Sequence, residues 1–279
     1  MAAITSLSDF IAKATGSVVD PEVIFKFIHA RVSGAAATAP TAGRFTTLWR
    51  YETSRGGAGA LPPTTAANPD NTTPGGMFQT NPTGGREKFL TFLSVAGLNQ
   101  GGILLYDRLL HKSGISGIVT TPQTVGGTLS RNTSGEGNTI WVEIHTAIGT
   151  TGSVITASYT NQDGVAGRTT QGIAIGGTGL NGAQRAFMLP LQQGDTGVRS
   201  VEEVDLTLST GTAGDMAVVI ARPIVWIGGA IIGAGAEFSA LLKGRGPIAI
   251  PDDACLAMMW LPSTSTAPEM LVTAYFVES

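Results

Sequence analysis

Hydrophobic and polar positions alternate along most of the chain from Phe89 onward. The clearest stretch sets Ile140, Val142 and Ile144 on one side and Trp141, Glu143 and His145 on the other, the period-two pattern of a β-strand. Similar runs predict strands over Lys88 to Val95, Ile103 to Leu110, Val154 to Tyr159 and Arg168 to Ile175. Others follow over Ala186 to Leu191, Val198 to Leu208, Met216 to Ile227, Ala254 to Trp260 and Met270 to Val277. Turn sequences such as Gly149-Thr150-Thr151-Gly152 and Asn161-Gln162-Asp163-Gly164 separate them. Short strands with glycine-rich turns and no intervening helix predict a mainly β chain, an antiparallel β-sandwich with a jelly-roll as the expected version.

The N-terminal third reads differently. Residues 1–34 predict a helical segment: Ser6 or Ser8 can cap a short helix running through Ala14, and Gly16 stops it. Asp20-Pro21-Glu22 then gives a carboxylate cap, a proline at the first helical position and an acid in the first turn. Val23, Ile24, Phe27, Ile28 and Val32 would share one side of that second helix, which Gly34 can end. Residues 35–85 are low in complexity and rich in proline and glycine, from Ala35-Ala36-Ala37 to Pro82-Thr83-Gly84-Gly85. So long an irregular segment fits an extended arm ordered on a neighbour, or a linker. The expected organisation is therefore 1–34 helical, 35–85 arm, and 86–279 β-sandwich.

Composition adds a functional hint. Charged residues are 13% of the chain, against about 25% for soluble domains, while hydrophobic residues reach 42% and glycines number 38. A chain that can bury a core yet carries so few charges presents a neutral surface suited to self-association or docking. A large β fold that fills its surface with Thr, Ser, Asn and Gln would give the same figures. The net charge is -3, without a Lys/Arg cluster, so direct nucleic-acid binding has no electrostatic footprint. The apolar stretch Ala217 to Ala236 is interrupted by Arg222 and Pro223, which argues against a membrane span. Met1 to Ser6 lacks the basic start and apolar core of a signal peptide, so synthesis in the cytoplasm is expected.

Candidate chemistry is sparse. Cys255 lies in an apolar run and reads as a small buried hydrophobe. The histidines are His29, His111 and His145. Asp107 and His111 stand four apart in a predicted strand, where that spacing brings no shared turn. Glu143 and His145 share a strand face, but a pair falls short of a catalytic zinc set, and a solvated face is the expected reading. Gly177-Thr178-Gly179-Leu180-Asn181-Gly182 matches the dinucleotide fingerprint, yet Pro190 follows too soon for the helix that motif needs, so a turn is expected. The acids Glu202, Glu203 and Asp205 lie on a strand with a solvated face, and Asp252-Asp253 is a further pair. A glycan hydrolase would need two facing carboxylates, which nothing in the sequence fixes. No catalytic residue, cofactor or metal ligand is expected, and the protein reads as a non-enzyme.

Three sets of residues carry a resemblance: Leu104-Leu105-Tyr106-Asp107-Arg108-Leu109-Leu110-His111-Lys112-Ser113-Gly114, then Ala157 to Thr169, then Gly194 to Val201 leading into Leu208 to Gly214. In that order they resemble a group of structural proteins encoded in tailed-phage and prophage genomes, over residues 86–279. The resemblance implies a virion component: a head decoration (cement) protein, or a tail, neck or baseplate protein. Its implied partners are the major capsid protein and further copies of the chain, as a homotrimer. A virion-associated glycan hydrolase is a more distant alternative. Phe25, Phe27 and Ile28 are the residues expected to anchor on a partner, unless their segment covers an open face of the sandwich instead.

Overall fold

The computed structural model describes residues 22–32, 40–53, 57–82, 84–97, 101–230, 236–240, 246–266 and 269–278; the side chains of 22–32, 52–53 and 229–230 lie outside that description. In chain order the strands begin with β1 (Glu22–Val32), β2 (Thr46–Thr47), β3 (Tyr51–Thr53), β4 (Lys88–Gly97), β5 (Gly101–Ile115) and β6 (Gln123–Thr124). Then come β7 (Thr139–Thr146), β8 (Ser153–Asn161), β9 (Arg168–Thr169), β10 (Ile173–Ile175), β11 (Ala186–Leu189) and β12 (Val198–Leu206). The last are β13 (Asp215–Ala230), β14 (Ala236–Ser239), β15 (Ile248–Ile250), β16 (Leu256–Pro262) and β17 (Met270–Glu278).

They form three antiparallel sheets. Sheet I has the order β14-β4-β17-β1-β3, with β15 also on β4; sheet II is β11-β7-β13-β5-β16-β2; sheet III is β10-β8-β12-β6, with β9 also on β8. Sheets I and III both pack on one face of sheet II, whose longest strands, β5 and β13, serve both halves of the molecule. At one end, Ile103, Leu105 and Ile227 with Leu256, Met258 and Trp260 of β16 pack against Leu93, Val272 and Phe276 of sheet I. At the other end, Ile140, Val142, Ile144, Val218 and Ile220 pack against Ile155, Ala157, Tyr159, Val204 and Leu206 of sheet III. The architecture is thus two β-sandwiches that share one central sheet.

The burial patterns follow from this layering. Along β8 inward and outward residues strictly alternate, because sheet III has one wet face. β7 is buried on both faces from Ile140 to His145. The second face of sheet II is covered by Phe45 and Trp49, which pack with Leu104, Tyr106, Trp141, Val219 and Met259. Pro223 interrupts β13 where β7 has already ended, its last pairing being Ala221 with Thr139, and where the register against β5 shifts. A strand proline is tolerated in such a place because its missing N–H leaves no gap in a ladder.

Residues 57–82, within the expected arm, run along the chain's own body. β16 leaves β5 after Asp107, and the irregular segment takes over that edge. Ala67 and His111 exchange backbone hydrogen bonds of 2.9 and 3.0 Å, and Pro63 accepts the Ser113 N–H at 2.8 Å. Further along, Met77 donates to the Leu256 carbonyl at 2.7 Å. An open edge on so long a strand would invite pairing with another chain, and this segment closes it.

The predicted helix after Asp20 is corrected: Glu22 to Val32 is strand β1, paired antiparallel with β17 from Glu22–Phe276 to Ile28–Met270. The run Val23-Ile24-Phe25-Lys26-Phe27-Ile28 is dense in β-branched and aromatic residues, and β17 offers it a row of free backbone groups. Asp20-Pro21 suits the entry to a strand as well as the start of a helix. The shorter helix expected through Ala14 lies outside the described residues. Among the described residues no helix is long and apolar enough to cross a membrane, and Ala217 to Ala230 belongs to β13.

Candidate functional site

The second face of sheet II buries a cluster of charged and aromatic side chains. Arg108 on β5 and Glu143 on β7 are both fully buried and form a two-pronged ion pair, with Nη1–Oε1 2.9 Å and Nη2–Oε2 2.8 Å. β13 lies between them, and its residues on this face, Ala217, Val219 and Ala221, are small enough for Arg108 to reach across. The same guanidinium donates through Nε to His111 Nδ1 at 3.0 Å and through Nη1 to the Tyr106 hydroxyl at 3.1 Å. The indole of Trp49 lies over it, 4.3 Å from the ring centre. Such a planar cation accepts aromatic stacking and fork-shaped pairing together.

The spacing of Arg108 and His111 reflects a bulge. Against β13 the register shifts between Ile220–Leu110 and Ala221–Arg108, so the extra residue turns Arg108 and His111 to one face. Trp49 is pressed close by Gly59 and Gly75: a Cβ on Gly75 would meet the indole at 2.8 Å, and Gly75 itself has φ of 98°. Trp49 also donates its indole N–H to the Ala60 carbonyl at 2.9 Å.

Electrostatics match the geometry. Burial alone would raise the Glu143 carboxyl, but the Arg108 guanidinium and the neighbouring His145 hold it well below the usual carboxylate range. Burial would lower Arg108, and Glu143 and Tyr106 more than reverse this, so Arg108 is held above its ordinary value. His111 is pushed down to about 3, first by burial and then by the adjacent Arg108 charge, so it is neutral. Because its Nδ1 accepts from Arg108, its proton sits on Nε2. His145 Nε2 lies 3.2 Å from Glu143 Oε2, and no solvent reaches either side chain.

This corrects the solvated face expected for Glu143 and His145: they do share a face, but that face is sealed. Asp107, one residue before Arg108, points to the other face, between the two sandwich cores. There it receives Arg131 on both oxygens, at 2.9 and 3.2 Å, and the Cys255 N–H at 2.9 Å. Burial raises its carboxyl, and Arg131 offsets part of that rise.

The other predicted residues are dispersed. Cys255 is a buried free thiol. Gly177 to Gly182 forms a turn after β10, with φ of 74° at Gly177 and 83° at Gly179, and it opens no helix. Glu203 and Asp205 are half-buried on β12; their cross-strand neighbours are Thr124, Ser158 and Thr156, hydroxyls rather than a second carboxylate. Asp253 holds Asn81 through Nδ2 at 2.6 Å. The side chain of His29 lies outside the described residues, as do those of Phe25, Phe27 and Ile28, whose backbone stands opposite Thr273, Leu271 and Met270. Among the described residues no group of three or more His, Cys, Asp or Glu is placed to hold a metal ion. An open cleft of about 370 Å³ lies at the end of sheet III, lined by Ser153, Val154, Ala174, Thr178, Leu180, Leu208 and neighbouring residues without a charged side chain.

The sequence reading missed the ion pair, although a signal was present. Arg108 stands close to Leu104, Leu105, Leu109 and Leu110 in one predicted strand, and Glu143 stands between Val142 and Ile144 in another; two opposite charges set among apolar residues need each other if they are buried.

No family model matches the chain, and no curated protein matches it. Among solved structures it is similar to the D431N mutant VP2 protein of infectious bursal disease virus in T=1 particles, at 8% identity over 94% of this chain and 78% of that one, with a TM-score of 0.19. It is also similar to the human polyomavirus 6 VP1 pentamer, at 10% identity over 94% and 95% of the two chains, with a TM-score of 0.13. Scores of this size carry no argument about role.

Proposed function

We propose that the chain is a structural protein of a tailed-phage virion, a head decoration (cement) protein that bridges neighbouring subunits of the major capsid protein as a homotrimer. The observation that carries this reading is the inward direction of its charged chemistry. Arg108, Glu143 and His145 are fully buried and His111 nearly so, between sheet II and its covering segment, where they brace a body and do not meet a substrate. What remains outside is the surface of a chain with 13% charged residues, and such a surface favours protein contact. The resemblance of residues 86–279 to tailed-phage structural proteins supports the same placement. The closed edge of β5 adds to it, since a subunit with fewer open strand edges docks by its faces and loops.

Phe25, Phe27 and Ile28 are the contact positions this reading carries forward; their backbone pairs with Thr273, Leu271 and Met270 of β17. A place in the tail, neck or baseplate would call on the same rigid body. Purified protein mixed with expanded empty shells separates the two: a cement protein co-sediments saturably and adds density to the head surface in micrographs. Absence from heads, with recovery in separated tail fractions by mass spectrometry, would remove the decoration reading and leave the tail one.

A further inference from the structure

Over its second half β13 is an edge of sheet II. Its pairing with β7 stops at Ala221–Thr139, whereas its pairing with β5 continues to Ala230–Gly101. β14, the next strand, joins β4 in sheet I. Among the described residues no hydrogen bond reaches β13 beyond Ala221 on the side that β7 has left, and residues 57–82, which close the β5 edge, make none there. A strand with one antiparallel neighbour turns every second N–H and C=O toward its open side. Such an edge is a template for a further strand unless charges, prolines or bulges blunt it. Here Pro223 guards only the start, and Ile224-Val225-Trp226-Ile227-Gly228-Gly229-Ala230 contains no charged residue. Register shifts bracket the stretch at Pro223–Val225 and Ile227–Ala230, so Val225 to Ile227 is its regular centre.

The side chains beside the opening are aromatic and basic. Trp226 is 47% exposed. It packs against Gly102, where a Cβ would come within 2.3 Å of the ring, and meets the half-buried Phe45 edge-on at 6.0 Å. Arg222 is exposed where the opening begins and forms no ion pair among the described residues; the acid opposite it on β5, Asp107, is buried and held by Arg131. We propose that this edge receives an extended segment of a partner protein as an added strand, apolar beside Trp226 and bearing a carboxylate at the Arg222 end. Main-chain bonds would hold such a strand, and the two side chains would select it. Charge and area both favour this occupant over a second copy of the chain. The copy's own edge has no acid between Pro223 and Ala230 to meet Arg222. Seven paired residues of about 3.3 Å each, on a sheet about 10 Å thick, bury roughly 230 Å², far from the ~800 Å² per partner of a stable dimer. The inference goes beyond a place in the virion and does not depend on it.

Fluorescence polarisation with labelled synthetic peptides tests this on the full chain. The probes are a short peptide of alternating valine and threonine ending in glutamates, the same peptide ending in lysines, and the glutamate peptide with every second backbone nitrogen methylated. The expected result is severalfold tighter binding of the glutamate peptide than of the lysine one, with no binding of the methylated one. The glutamate peptide should also slow amide hydrogen exchange within residues 224–228. Arg222→Glu should reverse the preference, and Trp226→Ala should weaken both unmethylated peptides. Exchange around Tyr159, buried in sheet III, reports that each variant is folded. Absence of binding up to about 1 mM peptide, equal binding of the methylated probe, or protection that maps away from residues 224–228 overturns the proposal. So does slowed exchange there without peptide that grows with protein concentration alongside dimer formation in sedimentation, which would make a second copy the occupant.

Discussion

Replacing Glu143 by glutamine takes away one charge of a pair that is wholly out of water, while keeping nearly the same shape. Arg108 would then retain its partners at His111 and Tyr106 and its stacking on Trp49, but no anion would balance it. Breaking a buried pair in this way costs about 3–5 kcal/mol. For a chain of this size that corresponds to a fall in Tm on the order of 10 °C. Replacing both partners, as Arg108→Met with Glu143→Leu, leaves no stranded charge and is expected to fall within about 1–2 kcal/mol of the parent, or to exceed it. Urea unfolding followed by circular dichroism measures both. The asymmetry is the decisive result: a single substitution that costs less than about 1 kcal/mol would show that Arg108 is not a sealed, charged group. The pH dependence has a definite sign. The folded-state carboxyl of Glu143 is depressed below the usual range, so its contribution is present above the ordinary carboxylate value and is lost as pH falls toward the folded value. The Glu143→Gln variant therefore differs most from the parent at neutral pH and converges on it in strong acid.

His111 stays neutral down to about 3 in the folded chain against 6.5 when free, so acidification across that window favours the unfolded state by up to about 1.4 kcal/mol per pH unit. His111→Asn should flatten that acid slope in urea midpoints measured from pH 7 to 4; an unchanged slope would place the titration elsewhere. On β12 and just beyond it, Leu206→Ala should cost about 2–4 kcal/mol because Leu206 is buried, whereas Leu208→Ala at 59% exposure should stay near the parent. Thermal melts distinguish these, and similar losses at both sites would contradict the packing of sheet III. Gly149→Ala would drive a Cβ into the Thr210 backbone, which is itself fixed by Thr151 N–H at 3.1 Å and Gly117 at 2.8 Å. A destabilisation of about 1–3 kcal/mol is expected, and an unaffected melt would mean that this turn relaxes freely.

What the sequence made legible depended on whether a strand had a wet face. β8 was readable because Val154, Thr156, Ser158 and Thr160 alternate with Ile155, Ala157 and Tyr159. β7 alternates too, but its second face carries Trp141, Glu143 and His145 under the covering segment, so a pattern that normally marks solvent concealed an ion pair. Its partner Arg108 lies 35 residues away across an intervening strand, a distance that spacing within one element cannot reveal. Where residues 57–82 would pack was equally hidden, because they bind through backbone groups of Pro63, Ala67 and Met77, which any sequence possesses. At Glu22 to Val32 the local signals supported two structures, and the free edge of β17 decided between them.

The continuity of β5 and β13 has a mechanical consequence. Both strands run unbroken from the core shared with sheet I to the core shared with sheet III, zipped to each other from Met216–Ile115 to Ala230–Gly101. A pull along this axis loads a long ladder in shear, where many hydrogen bonds must yield together; a hinge between two separate bodies would give way far sooner. A chain built around such a tie-bar transmits tension between its ends with little stretch.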